Sequence, residues 1–176
     1  MALIVEDGTG RADAEALISV AGATAYHTAR GNAAWAALAS DTVREQLLRK
    51  AADYIEQVYR DRWTGYRVNT TQALSWPRYV VPVRDSASMN YGGHSYYASN
   101  AVPPIVANAC AELALKASAH ELAADTGPQK VHTKVGQIEV DYLPGASQVL
   151  TYHAIDGMLA PFLKGGGGSV IAVVRA

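Results

Sequence analysis

The side chains that most often carry out chemistry are scattered along this chain of 176 residues. None of the five histidines has a second metal ligand at helical or CxxC-like spacing. Ser95 lacks the GxSxG context of a nucleophile elbow, and the glycine run 165–168 has no following lysine to bind phosphate. Cys110 falls on the apolar face of a predicted helix, where a small buried thiol needs no catalytic role. We therefore predict a protein that is not an enzyme, with no catalytic residues, no cofactor and no metal.

One segment, residues 60–84, has the composition of a site for single-stranded nucleic acid. Its aromatic residues alternate with arginines, and such sites stack bases on aromatic rings while cations contact the phosphates. The candidate residues for this role are Trp63, Tyr66, Arg67, Trp76 and Arg78. The alternative is that the tryptophans pack the core while the arginines pair with nearby acids. A net charge of −1, from fifteen basic and sixteen acidic residues, favours this alternative.

The composition excludes several other classes of protein. A single cysteine excludes an intramolecular disulfide, so nothing indicates an oxidising compartment. The N-terminal MALIVEDGTG has no basic region, unlike a signal peptide, and no apolar run is long enough to cross a bilayer. These features predict a soluble protein of intracellular origin with no membrane partner.

The chain has the periodicity of a mainly α protein. Five segments are expected to be helical: 19–31, 32–40 around Trp35, 42–60, 103–124 and 147–163. The helix 42–60 has a capping-box pattern in Thr42 and Glu45. The helix 103–124 begins at a proline pair and is rich in alanine and poor in charge, which favours a central position in the bundle.

The remaining segments predict one domain with an arm. Residues 1–164 are expected to form the helical domain, a small bundle with an inserted loop at 80–101 and one β-hairpin at 130–143. Gly136–Gln137 would supply a two-residue turn with glycine first. Residues 165–176 are expected to form a glycine hinge and an extended C-terminal arm, which is rich in β-branched residues.

The loop and the arm are the predicted sites of protein partners. The loop combines tyrosines with Ser, Gly and Asn, the composition of adaptable binding loops. In the arm, a strand on a flexible tether would add to the edge of another sheet, and Arg175 would pair with an acidic group. The alternatives are a surface loop without a partner and a disordered tail. The predicted partner-binding residues are Tyr91, Tyr96, Tyr97, Val170, Ile171, Val173, Val174 and Arg175.

The segments LIVEDGTG, KAADYIEQVY, RWTGYR, ALSWPR and VGQIEVDY, in this order, resemble one family of tailed-bacteriophage proteins. These are the head–tail connector (adaptor) proteins, whose relatives often carry the label DnaT-like single-stranded DNA-binding protein. The resemblance covers nearly the whole chain. ALSWPR before a proline-started helix and the VGxIxVxY hairpin are its most specific parts.

The resemblance implies a structural virion protein of the phage neck, made in the cytoplasm of the bacterial host. It implies a homo-oligomeric ring, a dodecamer, between the portal protein and the tail or a stopper or terminator protein. Double-stranded DNA would pass through this ring without specific binding, in agreement with a near-neutral chain. The connector is the main prediction. A DnaT-like module that binds single-stranded DNA through residues 60–84 is the alternative.

Overall fold

A computed structural model describes residues 2–86, 95–125 and 150–165, together with the strands at 132–135 and 138–141. Its helices are α1 (Val20–Thr28), α2 (Ala33–Ala36), α3 (Asp41–Tyr59), α4 (Pro104–Ala117) and α5 (His153–Leu159). Two 3₁₀ turns follow α3 and α5, at Arg60–Arg62 and Ala160–Phe162. The strands form two antiparallel pairs, β1 (Tyr66–Arg67) with β2 (Arg78–Tyr79) and β3 (His132–Val135) with β4 (Ile138–Asp141). The prediction of a mainly α fold with a β-hairpin is confirmed.

Helix α4 lies at the centre of the bundle and packs against α1, α3 and α5. Val106, Cys110 and Leu113 follow one another at steps of four and three, so they face the same side and are fully buried. Alanines at 109, 111 and 114 are also buried, which lets the neighbouring helices approach closely. The predicted central position of this helix is confirmed.

The structure changes the bounds of all five predicted helices: α1 ends at Thr28 and not at 31, and α2 covers Ala33–Ala36 of the predicted 32–40. Helix α3 begins at Asp41, and its N-cap is Ser40, whose Oγ accepts from the Val43 amide; Thr42 therefore lies within the helix. Helix α4 ends at Ala117, and the hydroxyl of the C-cap residue Ser118 donates to the carbonyl of Leu115, with an O–O distance of 2.6 Å. Helix α5 begins at 153; residues 150–152 are not helical, and 147–149 lie outside the described residues.

The hairpin β3–β4 pairs Val135 with Ile138 and His132 with Asp141. This register leaves two residues between the strands, as the sequence predicts. The glycine-first turn at 136–137 and the outer ends of the predicted range 130–143 lie outside the described residues.

Two buried polar groups, Glu6 and His27, join parts of the fold. The buried carboxylate of Glu6 accepts from the amides of Gly8, Gly10 and Arg11, each with an N–O distance of 2.9 Å, and so closes the N-terminal loop. His27 on α1 is buried, and its Nε2 lies 3.1 Å from the carbonyl oxygen of Ala111 on α4. Burial lowers the pKa of His27, so its neutral form joins the two helices.

Candidate functional site

A short β-ribbon presents two exposed tyrosines side by side. We call the surface formed by residues 64–67 and 78–80 the tyrosine ribbon. In its antiparallel register Tyr66 lies opposite Tyr79, and Arg67 lies opposite Arg78. Directly opposite residues have their side chains on the same face of a pair of strands. Tyr66 is 73% exposed and Tyr79 is 48% exposed, whereas Arg78 is buried.

Glycine is required where the first strand approaches the second. Gly65 has φ = +66°, in the left-handed region that other residues rarely adopt. A Cβ at this position would also collide with the carbonyl oxygen of Tyr79. The close contact of the two strands therefore depends on this residue.

The guanidinium of Arg78 holds the base of the ribbon. Its Nε donates to the carbonyl of Thr64, one terminal nitrogen donates to that of Gly65 and the other to that of Ser75, at N–O distances of 2.7 Å, 2.8 Å and 3.1 Å. Burial lowers the pKa of this group, and the nearby Glu56 carboxylate opposes that effect. Arg78 is thus a positioning residue of the ribbon.

The connection between the two strands is ordered by side-chain hydrogen bonds. Asn69 accepts at Oδ1 from the amides of Thr71 and Gln72. The side-chain Nε2 of Gln72 donates to the carbonyls of Leu74 and Pro77. Arg67 donates to the carbonyls of Thr70 and Gln72. The guanidinium of this candidate for phosphate binding therefore already stabilises the connection between the strands.

The two tryptophans of the segment lie in the core. Trp63 and Trp76 are fully buried and meet edge to face, with ring centroids 5.6 Å apart. Phe162 also meets Trp76 edge to face, with ring centroids 5.6 Å apart. Base stacking needs an exposed ring, so Trp63, Trp76 and the buried Arg78 are not available for the nucleic-acid role that the sequence suggests. Among the five candidate residues, Tyr66 has an exposed side chain.

Cations border the ribbon at the end of α3. Residues 62–64 run beside 162–164: the Lys164 amide donates to the carbonyl of Arg62, and the Thr64 amide donates to that of Phe162. This pairing places Lys164, distant in sequence, beside Arg60 and Arg62; all three are exposed, with Asp61 as the acid between the two arginines. The local charge is therefore positive, although the chain as a whole is slightly acidic.

The predicted partner-binding tyrosines divide between surface and core. Tyr96 is exposed and forms an isolated antiparallel bridge with Pro82, three residues after Tyr79. Tyr97 is half-buried, and its ring lies 4.9 Å from that of Phe162. The other predicted residues, Tyr91, Val170, Ile171, Val173, Val174 and Arg175, lie outside the described residues.

The part of the chain that the structure describes offers no metal-binding cluster of His, Cys, Asp or Glu. Burial raises the pKa of the Cys110 thiol to about 12, so it stays protonated at neutral pH. None of the helices in the described ranges has the length and apolar character needed to span a bilayer.

The whole chain, residues 1–176, matches the family model described as Putative DnaT-like ssDNA binding protein. No curated protein and no solved structure matches it.

Proposed function

The chain belongs to the family described as Putative DnaT-like ssDNA binding protein, and on this premise we propose that it binds single-stranded DNA on the tyrosine ribbon. The observation that carries the proposal is the exposed pair Tyr66 and Tyr79, held opposite each other in the ribbon. Bases of a single strand have free faces, whereas those of a duplex are stacked on one another. Two adjacent aromatic rings therefore favour single strands over duplex DNA.

The charges around the ribbon support phosphate contacts of modest strength. Arg60, Arg62 and Lys164 are the exposed cations beside it. For single strands the slope of log K against log salt is about −0.7 per neutralised phosphate, so three contacts give a slope of about −2. Binding is expected to depend weakly on salt and to show little sequence preference.

The double variant Tyr66→Ala, Tyr79→Ala is expected to weaken binding of a fluorescent dT oligonucleotide about tenfold or more in an anisotropy titration. Stacking of one base on an aromatic ring contributes about 1–3 kcal/mol, and about 1.4 kcal/mol corresponds to tenfold in Kd. Both side chains are exposed, so the melting temperature should change little.

Two controls match this experiment. Ile105→Ala removes an exposed apolar side chain from α4, and Arg30→Ala removes an exposed cation that follows α1; both should leave binding unchanged. Lys164→Ala should reduce both affinity and salt slope. Equal binding by the double variant and the wild type would overturn the proposal.

A second candidate is the head–tail connector, and two surfaces with little charge support it. The outer face of α1 and α2 exposes Ala21, Ala25, Ala29, Ala33 and Ala36, beside a groove of about 860 Å³ that also contains the Asp41–Arg44 ion pair. The segment 95–109 contains no charged residue and exposes Tyr96, Pro104 and Ile105. Two unlike surfaces with little charge suit head-to-tail contact between copies, which closes into a ring when the rotation permits.

In this second role the chain would form a homo-oligomeric ring, a dodecamer, in the neck of a phage virion after synthesis in the host cytoplasm. The portal protein and a tail, stopper or terminator protein would contact its two faces. Double-stranded DNA would pass through it without specific binding. The buried tryptophans and the charge of −1 are compatible with such a channel component.

Light scattering coupled to gel filtration separates the two roles. A connector is expected to give a mass many times the 18.7 kDa of one chain. Ala25→Glu, which places a charge in the α1 groove, should then return the protein to a monomer. Gln46→Glu on α3 is the matched control. A wild-type protein that stays monomeric at all micromolar concentrations would contradict the ring.

A further inference from the structure

A cleft of about 330 Å³ opens between the C-terminal half of α3 and the residues at and after the end of α4. Its walls combine apolar and polar groups, which is typical of small-ligand sites. The residues that line it are Lys50, Tyr54, Gln57, Ala117, His120, Glu121, Leu122 and Ala123. None of them belongs to the tyrosine ribbon.

The α3 wall presents a stripe of three unlike groups. Lys50, Tyr54 and Gln57 are spaced by four and three residues, so they lie along one face of the helix. Tyr54 is buried and supplies an apolar surface, while Lys50 and Gln57 are exposed. Neither polar side chain donates or accepts a hydrogen bond to another residue in the described ranges. They are separated by about 10 Å along the helix axis.

The opposite wall contains a histidine that is oriented by its neighbours. The Tyr152 hydroxyl donates to the carbonyl of Leu122, with an O–O distance of 3.4 Å, and lies 3.1 Å from Nε2 of His120. The imidazole and the hydroxyl are thus within hydrogen-bonding distance, with the donor and the acceptor set by the histidine tautomer. The two rings are stacked with centroids 6.0 Å apart, so the imidazole is fixed in place.

From this arrangement we infer that the cleft binds a single nucleotide carrying one phosphate. Lys50 would contact the phosphate, and the Gln57 amide, which both donates and accepts, would bond the edge of the base. A glutamine amide can form two hydrogen bonds with adenine, so adenine is the preferred base. The Glu121 carboxylate in the same cleft disfavours more highly charged ligands such as triphosphates.

The choice of a nucleotide as the ligand rests on the proposed function. The position of the binding site rests on the geometry of the cleft alone. The ligand is either a free nucleoside monophosphate or the terminal nucleotide of a bound strand, because the two share phosphate and base. In both cases the site lies outside the ribbon and would bind independently of Tyr66 and Tyr79.

The test is a calorimetric titration of the full chain with dAMP. We expect saturable binding with a Kd of about 1 mM or tighter. Lys50→Ala and Gln57→Ala should each raise this Kd about tenfold. Gln46→Ala, an exposed glutamine of the same helix outside the cleft, and Lys164→Ala should leave it unchanged. The double variant Tyr66→Ala, Tyr79→Ala should also bind dAMP normally. The experiment therefore distinguishes a failure of the proposed DNA binding at the ribbon from a failure of the proposed nucleotide binding in the cleft.

Competition experiments identify the source of the nucleotide. An oligo-dA with a terminal phosphate that displaces dAMP at lower concentration would assign the cleft to strand ends. One that displaces it no better would assign the cleft to free nucleotides. The inference is overturned by absence of saturable binding, by equal affinity for inorganic phosphate, or by variants at Lys50 and Gln57 that bind as the wild type does.

Discussion

Replacement of Trp76 by alanine is expected to lower the free energy of unfolding by about 3–5 kcal/mol. The indole is fully buried and packs against Trp63 and Phe162, whose ring centroids are each 5.6 Å away. Its removal leaves a cavity, since the two neighbouring rings are themselves fixed in the core. Urea unfolding followed by circular dichroism would measure the loss.

A matched substitution separates packing from hydrogen bonding at the same site. The indole N–H of Trp76 has no hydrogen-bond partner among the described residues. Trp76→Phe therefore leaves no acceptor unsatisfied and should cost less than Trp76→Ala, because most of the ring volume is retained. If Trp76 stacked on DNA instead, Trp76→Ala would weaken binding while unfolding stayed unchanged. That result would contradict the core position of this side chain.

The helices could be predicted from the sequence because their signals are local. The spacing of Val106, Cys110 and Leu113 repeats within a few turns, and Ser19 precedes α1 as its N-cap in the structure. The boundaries were less accurate because neighbouring polar residues compete for the same role. At α3, Ser40 and Thr42 are both suitable caps, and the backbone selects Ser40.

The ribbon could not be predicted, because each strand has two residues and too few positions to show alternation. Segment 60–84 was predicted as a possible nucleic-acid site, but composition does not reveal which aromatic rings are buried. Burial here is set by long-range contacts, such as that of Trp76 with Phe162. The nearness of Lys164 to Arg62 likewise depends on a backbone hydrogen bond between residues far apart in sequence.

The second large effect is expected for Arg78→Met, which should lower the free energy of unfolding by about 3 kcal/mol. The change removes the donors of three carbonyls, those of Thr64, Gly65 and Ser75. An unpaired buried acceptor costs about 1–3 kcal/mol, and the cost is smaller for the partly buried carbonyls of Thr64 and Gly65 because water can reach them. Methionine also relieves the cost of burying a charge, which offsets part of this loss. The net effect is destabilising because the carbonyls stay in place while their donors are lost.

The same variant tests whether Arg78 positions the ribbon. Without its guanidinium, the carbonyls of Thr64 and Gly65 are no longer tied to the second strand, so Tyr66 and Tyr79 lose their fixed spacing. Hydrogen exchange should accelerate at the Tyr66 and Arg67 amides more than at α4, and binding of single-stranded DNA should weaken at a temperature where the variant is folded. Arg60→Met, at an exposed arginine, is the control and should leave exchange at these amides unchanged. If Arg78→Met loses stability but the ribbon amides keep their protection and DNA binding is unaltered, then the arginine supports the core and not the ribbon.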